Sequence, residues 1–98
     1  MWLILLAGCR DPELDSFLDD RNAAICARHA RCDTLEAAGY ADESDCRGAL
    51  EDSTEQARED RELQCSDFDA EAADTCLAAY EGSCDEPPDL TVCDTVCP

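Results

Sequence analysis

The chain has little with which to build an ordinary hydrophobic core. Among its 98 residues there are sixteen Leu, Ile, Val and Phe side chains, and aromatic residues make up 5%. It contains no Lys, and its seven Arg stand against twenty-five acidic residues, which gives a net charge of -18. Few large apolar residues combined with a large net charge are typical of disordered chains. Something other than a large core must therefore hold this chain together.

Positive charge and long apolar runs are both scarce, and each absence excludes a class of protein. Nucleic-acid binding through phosphate contacts needs a basic surface, so we expect no nucleic-acid partner. No apolar run approaches the ~20 residues that span a bilayer. The chain has a single His, and its carboxylates are too numerous to single out a catalytic pair. We therefore expect no enzymatic activity and no cofactor.

The N-terminal segment indicates export. Residues 1–8 (MWLILLAG) form a short apolar run that ends in small residues directly before Cys9, as in a secretory signal peptide. The run has no basic residue before it and is short, so we expect the true signal to begin upstream of Met1. The four residues Leu6-Ala7-Gly8-Cys9 resemble the lipobox of bacterial lipoproteins.

This resemblance implies that Cys9 is acylated and that the peptide before it is removed. It makes residues 1–8 an incomplete signal peptide and residues 9–15 a lipidated tether, which Pro12 would keep extended. The lipid on Cys9 would attach the protein to a membrane of the bacterial cell envelope, with the outer membrane or cell surface favoured. The alternative is a buried N-terminal strand or helix start with an ordinary disulfide at Cys9.

Cysteine is the residue that the chain has in abundance. Nine is an odd number, and removing Cys9 for lipid leaves eight, an even set that is typical of a disulfide framework in a short exported chain. Four bridges at about 3 kcal/mol each would supply on the order of 10 kcal/mol, which matches the stability of an ordinary domain. The eight residues are Cys26, Cys32, Cys46, Cys65, Cys76, Cys84, Cys93 and Cys97.

Apolar spacing predicts that residues 16–98 form a mainly α, disulfide-rich three-helix domain with an irregular C-terminal tail. The first helix is predicted from the N-cap Ser16 to about Leu35. The second begins at residues 42–44 and continues through Leu63, with a charged run that indicates a solvated face. The third follows Cys65 and carries a stripe of Ala73, Cys76, Leu77, Tyr80 and Cys84.

The ends of the third helix are predicted from its capping residues. Ser66 or Asp67 would cap its start, and Gly82 would cap its end. Pro87 and Pro88 forbid further helix, so residues 85–98 form the tail. The acidic clusters at 42–45 and 67–71 lack the glycine turn of a calcium loop, and we interpret both as helix starts.

The cysteine spacing resembles that of small cysteine-rich lipoproteins of myxobacteria. The matching features are the lipobox, Cys26 to Cys32 on the first helix, Cys46 at the opening of the second, and residues 65–84 (CSDFDAEAADTCLAAYEGSC). The resemblance implies an envelope location and a helical fold, and it implies no particular activity.

Helix geometry limits which cysteines can pair. At 1.5 Å per residue, Cys26 and Cys32 lie ~9 Å apart on one helix and Cys76 and Cys84 lie ~12 Å apart, so neither pair can bond. An up-down-up bundle would place the end of the first helix at the start of the second. The predicted bridges are Cys32–Cys46, Cys26–Cys76, Cys84–Cys93 and Cys65–Cys97, with exchange of Cys93 and Cys97 as the alternative. A Cys26–Cys46 bridge would contradict this arrangement.

Three functions are compatible with these patterns. The favoured one is a non-enzymatic, membrane-anchored structural or ligand-binding module with an unknown protein partner. The first alternative is a small inhibitor or immunity-type protein that binds a secreted enzyme through residues 85–90. The weaker alternative is a metal-binding domain that uses Cys26, His29 and Cys32, which follow one another at i, i+3 and i+6, with help from Cys93 and Cys97. Because exported thiols oxidise, we expect no metal site.

Overall fold

The computed structural model describes residues 12–59, 65 and 67–97, and these ranges contain helices and no strand. The helices are α1 (Pro12–Arg31), α2 (Glu43–Glu59) and α3 (Ala70–Ala79), followed by a short 3-10 helix, η1 (Thr91–Thr95). The prediction of a small, mainly α, disulfide-rich domain of three helices is confirmed, with η1 inside the expected irregular tail. Cys9 and the rest of the lipobox, Leu63 and Ser66 lie outside the described residues.

Helix α1 begins at Pro12, so the prediction of an extended segment at this proline is wrong. Proline suits the first position of a helix because its φ is already helical and its missing N–H would have no partner there. Glu13 and Asp15 follow in the first turn, where negative charge interacts favourably with the helix dipole. Ser16, the predicted N-cap, is therefore an internal residue of α1.

Helix α1 ends at Arg31, before the predicted end, because the chain reverses there. Asp33 adopts a φ of 60°, the left-handed conformation that commonly terminates helices. The Thr34 N–H donates to the His29 carbonyl at 2.9 Å, and the Asp33 N–H donates to the Ala30 carbonyl at 3.4 Å. This is the Schellman pattern, built on an aspartate instead of the usual glycine.

The connection to α2 contains a second turn of the same kind, with a glycine in the left-handed position. Gly39 has a φ of +96°, and the Tyr40 N–H donates to the Leu35 carbonyl at 2.9 Å. Asp42 then caps α2, since its Oδ1 accepts the Asp45 N–H at 2.8 Å. The predicted start of the second helix is confirmed.

Helix α3 starts later than predicted. Its N-cap is Asp69, whose Oδ1 accepts the Ala72 N–H at 3.0 Å, so the prediction of Asp67 as the cap is wrong. Its C-cap is Tyr80 and not Gly82, which lies beyond the helix and has no positive φ. Two acidic segments thus open helices, as expected.

Helix α1 is the central element, and it packs against both other helices. Its contacts with α2 run in opposite chain directions and pair Cys26 with Cys46, Asn22 with Thr54, and Asp15 with Arg58. Its contacts with α3 and the flanking residues run in the same direction and pair Phe17 with Phe68, Arg28 with Tyr80, and Cys32 with Cys84. The up-down-up order is therefore confirmed. Within the described ranges, α2 and α3 do not pack on each other.

The apolar core lies between α1, α3 and η1. Its buried members are Leu14, Phe17, Leu18, Ala72, Ala73, Cys76, Tyr80 and Val96. The Phe17 and Phe68 rings meet edge to face with centroids 6.1 Å apart, a favoured aromatic geometry. The Asp69 N–H donates to the Val96 carbonyl at 2.9 Å, which fastens the C-terminal segment to the start of α3. The predicted stripe of α3 is confirmed except for Cys84, which is exposed beyond the helix.

All eight cysteines of the predicted framework form bridges, but three of the four predicted pairs are wrong. The observed pairs are Cys26–Cys46, Cys32–Cys84, Cys65–Cys97 and Cys76–Cys93. The prediction of Cys65–Cys97 is confirmed, while Cys32–Cys46, Cys26–Cys76 and Cys84–Cys93 are corrected.

The rotation of α1 explains these errors. Six residues at 3.6 residues per turn place Cys26 and Cys32 about 120° apart around the helix axis. Cys26 consequently faces α2, while Cys32 lies on the side of α3. The two turns at residues 33–40 occupy the gap after α1, so Cys46 comes level with Cys26. The Cys26–Cys46 bridge is thus compatible with the up-down-up order that it was expected to contradict.

Candidate functional site

The connection between α3 and η1 is the most prominent exposed segment near the C-terminal end of the described chain. Residues 81–90, here called the 81–90 loop, are exposed except for the half-buried Pro88. Two bridges restrain this loop: Cys84 within it bonds to Cys32, and Cys93 just after it bonds to Cys76. The loop therefore combines exposure with covalent restraint.

The side chain of Arg28 in α1 attaches the loop to that helix through hydrogen bonds. Its guanidinium group donates to the carbonyl oxygens of Tyr80 and Gly82 at 3.3 Å each, of Ser83 at 2.8 Å and of Glu86 at 2.9 Å. Five donors in a planar fork make arginine suited to such multiple contacts. The positive charge also lies at the C-terminal end of α3, where it interacts favourably with the helix dipole.

Arg31 adds a second contact at the same place. Its Nη2 donates to the Tyr80 carbonyl at 3.0 Å, and its Nη1 lies 3.6 Å from the Cys84 Sγ. Sequence reasoning assigned no role to Arg28 or Arg31. The two residues lie at i, i+3 on one helix. In a chain with so few cations, this spacing was a signal that both side chains contact the same segment of the chain.

Short-range hydrogen bonds order the loop further. The Asp85 N–H donates to the Ser83 Oγ at 3.1 Å. Asp89 Oδ1 accepts from the Thr91 Oγ1 at 2.7 Å and from the Thr91 N–H at 3.1 Å. These two hydrogen bonds, the side-chain one first, lower the pKa of Asp89 below its ordinary value of 3.8.

The loop offers negative charge on an ordered backbone. Its exposed acidic residues are Glu81, Asp85, Glu86 and Asp89. Leu90 at its end is the exposed large apolar side chain in the part of the chain that the structure describes, with 36% of its surface accessible. Such a surface can bind a basic partner that also covers one apolar side chain.

An open groove of about 610 Å³ between α1 and α3 adjoins the loop. Its lining includes Ala23, Ala27, Leu77, Tyr80 and the loop residue Glu81. Small alanine side chains on α1 leave this space open. The groove adjoins the loop at Glu81, and its lining also includes the charged residues Asp20, Arg28 and Arg31.

The structure does not assemble the metal-ligand set considered from the sequence. The sulfurs of Cys26 and Cys32 are bonded to different partners, Cys46 and Cys84. The His29 Nδ1 lies 2.7 Å from the Thr34 Oγ1. Cys93 and Cys97 are likewise separated into different bridges. Across residues 12–59, 65 and 67–97, no three His, Cys, Asp or Glu side chains are grouped to hold a metal ion.

Comparison with known proteins returns no relative: no family model, curated protein or solved structure matches the chain. Among the described residues, no helix combines the length and the apolar character needed to cross a membrane.

Proposed function

We propose that the protein is an exported, non-enzymatic binding module that is anchored to a bacterial cell envelope by a lipid on Cys9. The observation that carries this proposal is the closed set of four bridges among the eight cysteines from 26 to 97. Stable disulfides need an oxidising compartment, which supports export. The pairing leaves Cys9 as the ninth cysteine, which is the position that the lipobox would acylate.

The surface formed by the 81–90 loop and the adjoining groove is the proposed binding site. Four exposed carboxylates favour a protein partner with a basic patch, and Leu90 would supply apolar contact at the end of the loop. Because Arg28 and two bridges already order the backbone, little conformational entropy is lost on binding. The partner is thus expected to be a protein, not a nucleic acid.

The same restraint favours a second function, that of an inhibitor or immunity-type protein for a secreted enzyme. An exposed loop held at Cys84, at Cys93 and by Arg28 is preorganised for insertion into a concave site. A metal-binding role is not proposed, because bridged sulfurs are not the thiolates that zinc requires.

Acylation is tested by expressing the protein with a complete signal in a bacterial host. We expect the mature chain to begin at Cys9, to carry the mass of its acyl chains and to partition into detergent. Cys9→Ser is the matched control and should remain unmodified. A wild-type chain that keeps residues 1–8 and an unmodified Cys9 would contradict the anchor.

Binding is tested with the folded protein as bait on envelope and secreted fractions of a producing bacterium. The double variant Asp85→Asn, Glu86→Gln removes two charges from the loop, and Glu51→Gln, Asp52→Asn removes two from the exposed side of α2. A partner captured by wild type and by the α2 variant, and lost with the loop variant, supports the proposed surface. Equal capture by all three proteins would place the contact elsewhere.

A further inference from the structure

The four disulfide bonds differ in their exposure to solvent. Cys26 and Cys46 are both 0% exposed, and so is Cys76 of the Cys76–Cys93 bridge. Both residues of the Cys65–Cys97 bridge are half-buried. Cys84, by contrast, is exposed, and its partner Cys32 is half-buried. Since disulfide exchange requires a thiolate to reach a sulfur atom, Cys84 is the bridge residue most open to attack.

The same bridge lies outside the apolar core. The core and the residues packed against it include both members of Cys65–Cys97 and of Cys76–Cys93, but neither Cys32 nor Cys84. Cys32 follows the last residue of α1, and Cys84 lies in the 81–90 loop. Breaking this bond therefore leaves the apolar contacts between α1, α3 and η1 in place. The hydrogen bonds from Arg28 to carbonyls of the 81–90 loop would remain, and they would still attach the loop to α1.

The surroundings of Cys84 also favour its reduced form. The Arg31 Nη1 lies 3.6 Å from the Cys84 Sγ. A guanidinium at this distance stabilises a thiolate, which makes Cys84 a better leaving group in the second exchange step, when it departs from the mixed disulfide. The Cys26–Cys46 bridge is buried, so a reductant cannot reach its sulfur atoms.

We propose that Cys32–Cys84 is a redox-labile site of this protein, opened selectively by a dithiol while the other three bridges and the helical core persist. One thiolate of the dithiol attacks the Cys84 Sγ, the bond to Cys32 breaks, and Cys32 leaves as a thiolate that takes a proton from water. The second thiolate attacks the dithiol sulfur of the mixed disulfide, and Cys84 leaves as a thiolate beside Arg31. The bridge gains two electrons, and the dithiol loses two as it becomes a cyclic disulfide.

The consequence of opening is a looser 81–90 loop on an intact domain. Cys76–Cys93 still holds the far end of the loop, and Arg28 still contacts its carbonyls, so the loop gains motion without leaving the domain. This site does not depend on the loop having a binding partner, and it can be tested without one.

The test is limited reduction of the full chain. Iodoacetamide first blocks Cys9 in any chain that carries no acyl group there. The protein is then treated with increasing dithiothreitol at neutral pH, and samples are acid-quenched, labelled with N-ethylmaleimide and mapped by mass spectrometry. We expect the first reduced species to carry label at Cys32 and Cys84, to form about tenfold faster than the next, and to keep its helical circular dichroism. A first species labelled at another pair, simultaneous opening of all four bridges, or loss of helicity in that species would overturn the proposal.

The double variant Cys32→Ser, Cys84→Ser supplies the matched control. At dithiothreitol concentrations that open one bridge in wild type, its three remaining bridges should stay closed and its helical signal should equal that of the oxidised wild type. Opening of those bridges at the same concentrations would show that exposure does not set the order of reduction. Should the variant fail to fold, the label positions in the wild-type protein still decide the question.

Discussion

Asn22 of α1 donates a hydrogen bond to Thr54 of α2 over 3.1 Å, and the two residues are 3% and 7% exposed. Arg58 contacts Asp15 at 2.8 Å one turn further along α2. Along its described length, α2 buries Cys46 and Thr54 and no large apolar side chain. Specific polar contacts and the Cys26–Cys46 bridge therefore attach α2 to α1, in place of an apolar face.

The Asn22–Thr54 contact predicts a non-additive pair of substitutions. Thr54→Val leaves the buried Asn22 amide without its partner and should lower the free energy of unfolding by about 1–3 kcal/mol. Asn22→Leu with Thr54→Val removes both polar groups and should cost less than the sum of the single variants. Urea unfolding of the oxidised proteins measures this, and additive costs would contradict the coupling.

Replacing Arg28 with lysine, which keeps the positive charge, should still destabilise the protein. A lysine cannot reach four carbonyl oxygens at once, so Arg28→Lys should lower the free energy of unfolding by about 1–2 kcal/mol. Amide hydrogen exchange should also accelerate in the 81–90 loop. Arg47→Lys, at an exposed position of α2, is the control and should change neither property. Unchanged exchange in Arg28→Lys would show that the loop is ordered by its bridges alone.

Replacing Gly39 or Gly48 with alanine should change the stability of the protein in opposite directions. Gly39 needs its φ of +96°, so Gly39→Ala should destabilise the protein by about 1 kcal/mol. Gly48 lies inside α2 with open space where a Cβ would lie, so Gly48→Ala should stabilise by about 0.5–1 kcal/mol. Thermal unfolding without reductant compares the two variants. Melting temperatures that move in the same direction would contradict the conformational explanation.

Asp89 predicts a local pH dependence. Its pKa is lowered by the hydrogen bonds from Thr91, so the contribution of these bonds is present above pH 3.8 and is lost as the pH falls through the lower folded value. An NMR titration should find the midpoint of Asp89 below 3.8. Thr91→Val removes the hydroxyl and should move that midpoint upwards, whereas Thr95→Val should leave it unchanged. A midpoint unaffected by Thr91→Val would contradict the assigned cause.

Complete reduction should have a much larger effect than opening one bridge. The buried large side chains are few, chiefly Leu14, Phe17, Leu18, Tyr80 and Val96, and they cannot offset the backbone entropy of ordering the helices. We expect the helical circular dichroism to collapse when all four bridges are reduced and blocked at neutral pH. Part of it should return in 1 M NaCl, because the net charge of -18 is then screened. Full helicity in reductant would show that the core suffices.

Features that depend on neighbours in the chain can be predicted from the sequence. Asp42 is predictable at the start of α2 because capping is a contact over three residues. Residues 85–90, which the sequence indicated as a contact segment, are exposed except for Pro88, in keeping with their charge and prolines. The start of α1 at Pro12 escaped prediction although a local rule allowed it, since proline fits the first helical position.

The candidate site is less predictable than the helices. The sequence indicates the loop segment as a contact surface but not its attachment through Arg28, because the carbonyls that Arg28 binds lie more than fifty residues further along the chain. Likewise, Cys26, His29 and Cys32 share one helix in sequence, yet the structure separates the two sulfurs into bridges on different sides of α1. The spacing of residues along a helix does not determine which other element packs against each of its faces.

The sequence by itself determined that eight cysteines must compensate for a sparse core and that the chain forms three helices, the second of which begins at residues 42–44. These properties follow from composition, periodicity and capping, all of which act over a few residues. Only the tertiary structure decided that Cys26 meets Cys46 and that Cys32 meets Cys84. That choice depends on the rotation of α1 about its axis and on the length of the turns after it, because a disulfide forms only where two Cα atoms come within about 4.4–6.8 Å.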